Sequence, residues 1–336
     1  MDLKYRHNEL QNKMEIAESI WFYQNQSKNI DNCFVDDDDE KFHQYIDKIG
    51  EGATSITYKI IDTRTNQFMC KKVLKVDPKN PLGIKDVKNI IKEFEILNKI
   101  NHPCICTAYY INTQETVKDT NVKSNNNTIA IFLEYLEFDL KSELQKGLND
   151  TLKTRIVVEI SHALNFLHKH GMIHRDLKIE NIMLNSVYQA KLVDFGLIRI
   201  HECIPEYSYV AESMTKGVGT LLYMSPEMLN EEEYDYKTDV YSFGMVLYVM
   251  FVGNLPKQSL KDKMRGKEID LPNESNSISA FCIQLIKKCL SGDPKDRPTF
   301  EEILEDLREN EYSLTSSINK EVIHQRDMEL ALFEVN

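Results

Sequence analysis

Eight consecutive residues, 174 to 181, carry polar groups whose types and spacing suit phosphoryl transfer. They read His-Arg-Asp-Leu-Lys-Ile-Glu-Asn. Asp176 could receive or orient the proton of an attacking hydroxyl, and Lys178 could neutralise charge on the phosphoryl group in transit. Asn181 could hold a magnesium ion. The octet therefore predicts transfer of the terminal phosphoryl group of a nucleotide to a hydroxyl.

A second acidic motif follows 13 residues after Asn181. Asp194-Phe195-Gly196 comes directly after a short strand-like run, 190 to 193, and its carboxylate could bind magnesium too. Either motif alone is more often an ordinary loop or turn, whereas both in this order favour a catalytic role. Together they resemble the catalytic core of eukaryotic protein kinases. The resemblance extends over about residues 45 to 308 and implies ATP and Mg²⁺ as cofactors.

The composition is that of an ordinary globular chain. Of its 336 residues, 42% are hydrophobic and 28% charged, and the formal net charge is −12. Such a charge opposes binding to nucleic acids and to anionic membranes. The longest nearly apolar run, 243 to 252, is half of the roughly 20 residues that a membrane span needs, and the first ten residues resemble no secretory signal. We therefore expect a cytoplasmic protein with no nucleic-acid partner and no membrane span.

The seven cysteines include no Cys-x-x-Cys pair. An odd number without that spacing argues against a disulfide framework or a zinc site. We expect buried, reduced thiols.

The order of hydrophobic patterns predicts an α+β fold. Strand-like alternation comes first and helical periodicity follows from about residue 151. The resemblance implies a two-lobed protein kinase fold, with a small β-rich lobe that carries one key helix, a larger α-helical lobe, and a nucleotide cleft between them. We expect the domain at 43–309, with its lobes divided near 135/136.

Two extensions flank the predicted domain. The first, 1–42, contains a short helical pattern and an acidic run at 36–40, which we expect to be a linker. The second, 310–336, is a polar tail with a helical pattern near 318–333. Either could bind a regulatory partner, although the N-terminal helix more readily packs on its own domain.

A glycine-rich turn lies between two strand-like runs. Gly50 and Gly52, which follow Ile49, let the backbone approach phosphates and direct amide hydrogens at them. The kinase pattern has a third glycine where this chain has Ser55, and a valine over the adenine where it has Thr57. Threonine has nearly the shape of valine, so we expect adenine still to be covered.

The next strand, 68 to 74, offers two candidate phosphate-binding lysines. Small Cys70 lies two residues before Lys72 and so shares a strand face with it, whereas large Met69 precedes Lys71. The kinase pattern places a small residue there. We therefore expect Lys72 to hold the α- and β-phosphates and Lys71 to be a solvated neighbour.

A lysine in that role needs a carboxylate to place it. Residues 88 to 100 have helical periodicity, and Glu93 lies nine residues before His102-Pro103, as in the corresponding helix of kinases. Glu95 is the rival, but it points nearly opposite on the helical wheel. The resemblance therefore implies a Lys72–Glu93 pair.

The strand-like run 129 to 136 resembles the segment of kinases that leads past the adenine. The family pattern implies that Leu133 guards the back of the pocket and that backbone groups of Glu134 and Leu136 bind the adenine edge. Met183 would form the pocket floor. These residues could equally be ordinary core, and their types do not separate the two interpretations.

The segment from Asp194 to Glu227 resembles a kinase activation segment. Ser213 and Thr215 are candidate phosphorylation sites, because a phosphate there could pair with Arg175. Thr220 is expected to be a structural hydroxyl near the octet 174 to 181, which we call the catalytic loop.

Three further residues match structural positions of the family. Glu227 is expected to be buried against Arg297, a pair whose disruption costs about 3–5 kcal/mol. Asp239 is expected to accept backbone amides of the catalytic loop.

Lys178 and Thr220 resemble the residues that serine/threonine kinases have at these positions. The runs Tyr-Met-Ser-Pro-Glu and Asp-Val-Tyr-Ser-Phe-Gly look most like those of the tyrosine-kinase-like group. The resemblance implies a serine/threonine kinase that acts on proteins in signalling. One alternative is a pseudokinase, which Ser55 and Thr57 favour slightly and the intact catalytic motifs oppose. The other is a kinase of small molecules, for which the long activation segment is less suited.

Overall fold

A computed structural model of the chain describes residues 42–52, 55–74, 84–116, 127–200, 218–271 and 278–335. These residues fall into two compact units. One contains the described residues up to 101 together with 106–135, and the other contains 102–105 together with residues from 136 onward. The first is built on a β-sheet and the second is mainly helical. The predicted α+β fold class is confirmed.

The first unit contains a five-stranded antiparallel sheet in the order β1-β2-β3-β5-β4. Its strands are β1 (His43–Glu51), β2 (Ser55–Asp62), β3 (Gln67–Leu74), β4 (Ala108–Thr116) and β5 (Asn127–Glu134). Helix α1 (Ile84–Lys99) contacts β4 and β5. It buries Ile90, Ile91, Phe94 and Leu97, the spacing of one helical face.

Lys71 is not the solvated residue that the sequence predicted. Its side chain is 0% exposed and lies on the face of β3 that also carries Met69 and Val73. The Lys71 Nζ donates to the Tyr45 hydroxyl at 2.5 Å and lies 5.3 Å from the centre of the Phe132 ring. Aromatic faces and a hydroxyl can accommodate a buried ammonium group. The alternation of residue types along β3 does not reveal these partners, because they lie on other strands.

The second unit contains helices α2 (Leu140–Gln145), α3 (Asp150–Lys169), α4 (Val218–Leu221), α5 (Pro226–Leu229), α6 (Lys237–Val252), α7 (Leu260–Met264), α8 (Ala280–Cys289), α9 (Phe300–Glu309) and α10 (Lys320–Val335). Its short strands are β6 (Phe138–Asp139), β7 (Met172–Ile173), β8 (Ile182–Leu184), β9 (Ala190–Leu192) and β10 (Arg199–Ile200). They form the sheets β6-β8-β9 and β7-β10.

Helix α3 supports the catalytic loop. Asn149 caps its N-terminus by accepting a hydrogen bond from Leu152 N at 2.9 Å. Most of its residues from 154 to 167 are buried, because α6, α9 and α10 all contact it. The chain leaves α3 through Gly171, whose φ of 69° favours glycine, and enters β7 immediately before the loop. The loop thus begins at a fixed point.

Several predicted boundaries move by a few residues. Helix α1 begins at Ile84 rather than near 88, and α3 begins at Asp150, close to the predicted start of helical periodicity near 151. Strand β5 begins at Asn127, two residues before the strand-like run predicted from 129. Residues 1–41, with the predicted short helix and the acidic run, lie outside the described residues. The predicted C-terminal helix is present as α10.

Five cysteines are described, at positions 70, 104, 106, 282 and 289, and all are free thiols. Among the described residues, no helix combines the length and the apolar character needed to cross a membrane.

Candidate active site

Asp239 holds the start of the catalytic loop. This residue of α6 is buried, and its carboxylate accepts the N–H of His174 at 2.8 Å and the N–H of Arg175 at 2.9 Å. It also lies 2.9 Å from His168 Nε2. Burial by itself raises the pKa of Asp239, but the hydrogen bonds, above all that from His168, outweigh it and lower the pKa. An ionised carboxylate therefore fixes the loop backbone.

Three polar side chains of the octet meet, as their spacing suggested. Lys178 Nζ lies 3.0 Å and 3.2 Å from the two carboxylate oxygens of Asp176. Asn181 Nδ2 donates to the Asp176 backbone oxygen at 2.7 Å and to its carboxylate at 3.2 Å. The carboxylate is thus oriented by a cation and an amide, an arrangement that suits a group that positions a hydroxyl.

Two residues near this cluster have left-handed backbones. Arg175 has φ 70° and Asp194 has φ 62°. Such conformations cost about 1–3 kcal/mol each and tend to occur at functional sites. The rings of His174 and Phe195 also meet edge to face at 5.1 Å, which joins the two motifs. Burial lowers the pKa of His174, so its ring is neutral at pH 7.

Asn181 and Asp194 offer the oxygen ligands that a magnesium ion prefers. Because Asn181 Nδ2 is bound to Asp176, its amide has a fixed orientation with the carbonyl oxygen turned the other way. Within the described part of the chain, no group of three or more His, Cys, Asp or Glu side chains is placed to hold a metal ion. Asn181 and Asp194 are the residues that would hold a magnesium ion here.

In the first unit, Lys72 rather than Lys71 meets Glu93. Lys72 Nζ lies 2.8 Å from both carboxylate oxygens of Glu93, which is 3% exposed. Cys70 lies on the same face of β3, and burial raises the pKa of its thiol to about 12. The two faces of β3 are therefore distinct, one with Cys70 and Lys72 and the other with buried Lys71.

The glycine turn joins β1 to β2. Gly50 pairs with Thr57 across the two strands, and Gly52 N donates to Ser55 O at 2.9 Å. A Cβ atom added at Gly50 would come no closer than 3.5 Å to another residue, and one at Gly52 no closer than 3.8 Å. The fold itself therefore leaves room for a side chain at both positions. Ile49 precedes the turn and is exposed.

The candidate adenine-binding residues belong to different elements. Glu134 ends β5 in the first unit, and its N–H donates to Thr107 O at 2.9 Å. In the second unit, Leu136 is buried and Met183 lies half-buried on β8.

Of the candidate activation-segment residues, Ser213 and Thr215 lie outside the described residues. Thr220 lies in α4 and is buried, and its carbonyl oxygen accepts the N–H of Tyr223 at 3.1 Å.

Glu227 and Arg297 form a two-point ion pair. The distances are 2.6 Å from Nη1 to Oε1 and 2.9 Å from Nη2 to Oε2, and the Arg297 side chain is fully buried. Arg297 Nε also donates to Ser291 O at 2.9 Å. The Tyr241 ring covers the guanidinium at 5.0 Å. The pair connects α5 to the segment before α9.

Sequence reasoning missed several buried charged residues of the second unit. Lys263 on α7 is 3% exposed, and nothing in its neighbourhood in the sequence indicates burial. Asp327 on α10 is 0% exposed, between buried Ile323 and Leu330. The spacing of these three residues places the acid on the apolar helical face, a signal that could have been used. Arg326, its neighbour, reaches Glu159 on α3.

The chain is similar to proteins of known family over most of its length. Residues 43–307 match the family model of the protein kinase domain. A probable serine/threonine-protein kinase of Dictyostelium discoideum is 29% identical over 78% of this chain and 27% of its own. CBL-interacting protein kinase 10 of Oryza sativa is 28% identical over 77% of this chain and 54% of its own length. Serine/threonine-protein kinase PLK4 of Nematostella vectensis is 29% identical over 81% of this chain and 26% of its own length. The chain thus spans a quarter to about half of these relatives.

Proposed function

Because the chain belongs to the protein kinase family, we propose that it transfers the γ-phosphoryl group of ATP to serine and threonine hydroxyls of protein substrates in cellular signalling. The observation that carries the proposal is the Asp176 carboxylate, oriented by Lys178 and Asn181 on a loop whose backbone Asp239 holds. The serine/threonine kinase names of the relatives support the choice of substrate hydroxyl.

The catalytic loop divides the work among its side chains. Asp176 orients the substrate hydroxyl and accepts its proton, and Lys178, 3.0 Å away, faces the transferring phosphoryl group. Magnesium, when bound, neutralises charge on the β- and γ-phosphates. Asn181 and Asp194 would hold it.

The first unit would hold the rest of the nucleotide. Lys72, placed by Glu93, pairs with the α- and β-phosphates. The turn at Gly50 and Gly52 would cover the phosphates, because glycine lets the backbone approach them closely. Ile49, Thr57, Cys70, Glu134, Leu136 and Met183 would surround the adenine, with Ser55 at the end of the turn.

Phosphorylation of Thr215 or Ser213 is proposed to raise activity. Arg175 precedes the catalytic Asp176, and a phosphate with a charge of about −1.5 to −2 would pair with its guanidinium and order the segment. Mass spectrometry of active protein, together with Ser213→Ala and Thr215→Ala singly and combined, tests this. Full activity of the double variant without phosphate between Gly196 and Glu227 contradicts it.

The proposed activity is tested by transfer of labelled phosphate from ATP and Mg²⁺ to casein. We expect transfer by the parent chain and a reduction of kcat by about 10²–10⁴ in Asp176→Asn, with ATP binding nearly unchanged. Equal turnover by the two proteins contradicts the role of Asp176. ATP binding without any transfer by the parent identifies a pseudokinase instead.

A further inference from the structure

Lys263 is a buried basic residue that the catalytic scheme does not use. It lies on α7, and only 3% of its surface is exposed. Its Nζ donates to the backbone oxygen of Leu222 and lies 4.7 Å from the centre of the Tyr241 ring. A buried ammonium group is costly unless it is paired or hydrogen-bonded, so these contacts need an explanation.

The charged and titratable groups that face Lys263 come from three other elements. They are Glu227 on α5, Tyr241 on α6, and Arg297 after the turn at 294–296. Burial lowers the pKa of Lys263 to about 7 although Glu227 opposes the shift, and Arg297 adds to it. The Glu227 carboxylate therefore faces two basic side chains, Arg297 and Lys263. A methionine would fill much the same volume without that cost, so packing does not explain a lysine here.

The carbonyl that Lys263 binds belongs to the segment 220–223, which lies beside the catalytic loop. The Tyr223 hydroxyl is hydrogen-bonded to the backbone of Ile179 in that loop. Ser242 Oγ on α6 donates to Tyr223 O at 2.9 Å. The segment is thus held in two ways. Tyr223 N donates to Thr220 O within the turn, and Tyr223 also contacts α6 and the catalytic loop.

Leu222 lies between Thr220 and Tyr223. Among the contacts of the described residues, its carbonyl oxygen accepts a hydrogen bond only from Lys263 on α7. An amine donates a hydrogen bond in both its protonated and its neutral form, so this bond is kept with a pKa of about 7. The bond therefore holds the peptide group after Leu222, and with it the surface that this segment offers beside Ile179 of the loop.

We propose that Lys263 is a positioning residue for protein substrates, which holds the segment 220–223 in the conformation that a substrate chain contacts while its hydroxyl reaches Asp176. The role of Lys263 in substrate binding rests on the proposed kinase activity, whereas its effect on the conformation of the segment does not. Lys263 itself touches neither substrate nor nucleotide.

The test compares full-length Lys263→Met with the parent and with Lys261→Met, a matched control because Lys261 is exposed on the same helix. In the casein assay we expect the KM for casein to rise about tenfold in Lys263→Met, the effect of losing one hydrogen bond. The kcat and the KM for ATP stay within about twofold, since the phosphate-binding groups are untouched. Lys261→Met behaves like the parent.

A second measurement does not depend on activity. Hydrogen exchange of the amides from 221 to 224 is expected to be about tenfold faster in Lys263→Met than in the parent or in Lys261→Met. Lys263→Leu is the alternative variant if Lys263→Met does not fold. Unchanged exchange in this segment overturns the proposal whether or not the parent phosphorylates casein. Absence of transfer by the parent, with faster exchange in the variant, instead contradicts the kinase activity alone.

Discussion

Arg326 Nε lies 2.8 Å from Glu159 Oε1, and this contact joins the C-terminal helix α10 to α3, the helix that leads into the catalytic loop. The other oxygen of Glu159 accepts the N–H of Ala190 at 2.8 Å. Ala190 begins β9, which precedes Asp194. Helix α10 lies beyond residue 307, where the match to the kinase family model ends, yet it provides the partner of a buried acid within the domain.

Replacing Arg326 by methionine should reduce the free energy of unfolding by about 3 kcal/mol, because a carboxylate with 0% exposure loses its closest cation. Arg155, at 3.8 Å, remains and limits the loss. The combined variant Arg326→Met, Glu159→Gln should recover part of the stability, since no buried carboxylate is then left without its closest cation, although Arg155 loses the acid it faces. Urea denaturation measures both. Gln325→Met, an exposed change on the same helix, is the control. A single Arg326 variant as stable as the parent contradicts the assignment.

Asp327 should make a pH-dependent contribution to stability. Its carboxylate accepts hydrogen bonds from Arg308 at 2.7 Å and Tyr312 at 2.7 Å, and lies 2.7 Å from His162 Nε2. Burial by itself raises the pKa of Asp327, but these hydrogen bonds outweigh it and hold the pKa well below its usual value of 3.8. A lowered pKa stabilises the fold at neutral pH, and this stabilisation is lost as the pH falls below about 4.

Asp327→Asn should therefore reduce the free energy of unfolding by about 3–5 kcal/mol at pH 7, because it removes the charge of a buried network. The difference from the parent should shrink as the pH falls through 4 towards 3. Asp306→Asn is the matched control, since Asp306 pairs with an exposed lysine, Lys288, and such surface pairs contribute less than about 1 kcal/mol. A difference that does not change between pH 7 and pH 3 would show that the charge of Asp327 is not what matters.

The two adjacent lysines of β3 should differ in their effect on catalysis. Lys72→Met should lower the rate of phosphoryl transfer at least about 100-fold, because Lys72 is the cation that Glu93 positions at 2.8 Å. Lys71→Met should keep activity within about threefold, since that side chain is buried on the opposite face against Tyr45. Labelled-phosphate transfer decides, with thermal unfolding to verify that both variants fold. Loss of activity only in Lys71→Met would reverse the assignment.

Lys263 should lower the stability of the fold as the pH falls towards neutrality. Its pKa is about 7 in the folded protein against an ordinary value of 10.5. Between these values the unfolded chain binds the proton and the folded chain does not, so stability decreases as the pH falls from about 10 to 7 and is then level.

Lys263→Met removes this titration. The stability of the variant relative to the parent should be higher at pH 7 than at pH 9.5, by more than about 1 kcal/mol. Urea denaturation at the two pH values measures the change, and Lys261→Met, with an exposed lysine, should show none. An equal difference between Lys263→Met and the parent at both pH values contradicts a lowered pKa.

Much of the candidate site could be predicted because its information is local. Alternation along β3 distinguishes Lys72 from Lys71, since successive side chains of a strand point to opposite faces. Helical periodicity over 88–100 likewise places Glu93 and its rival Glu95 on nearly opposite faces of α1. In the loop from 174 to 181, Asp176, Lys178 and Asn181 are so close in the chain that they meet once its ends are fixed.

The sequence by itself determined the kinase family, the order of the β-rich and α-helical units, and the residues that could carry phosphoryl transfer, because each depends on types and spacings over a few residues. Only the tertiary structure decided which charged side chains are buried and with what partner. Lys71 meets Tyr45, Lys263 meets the Leu222 carbonyl, and Arg326 meets Glu159. Each contact joins residues far apart in the chain, and the cost of burying a charge depends on the surface that the fold brings to it.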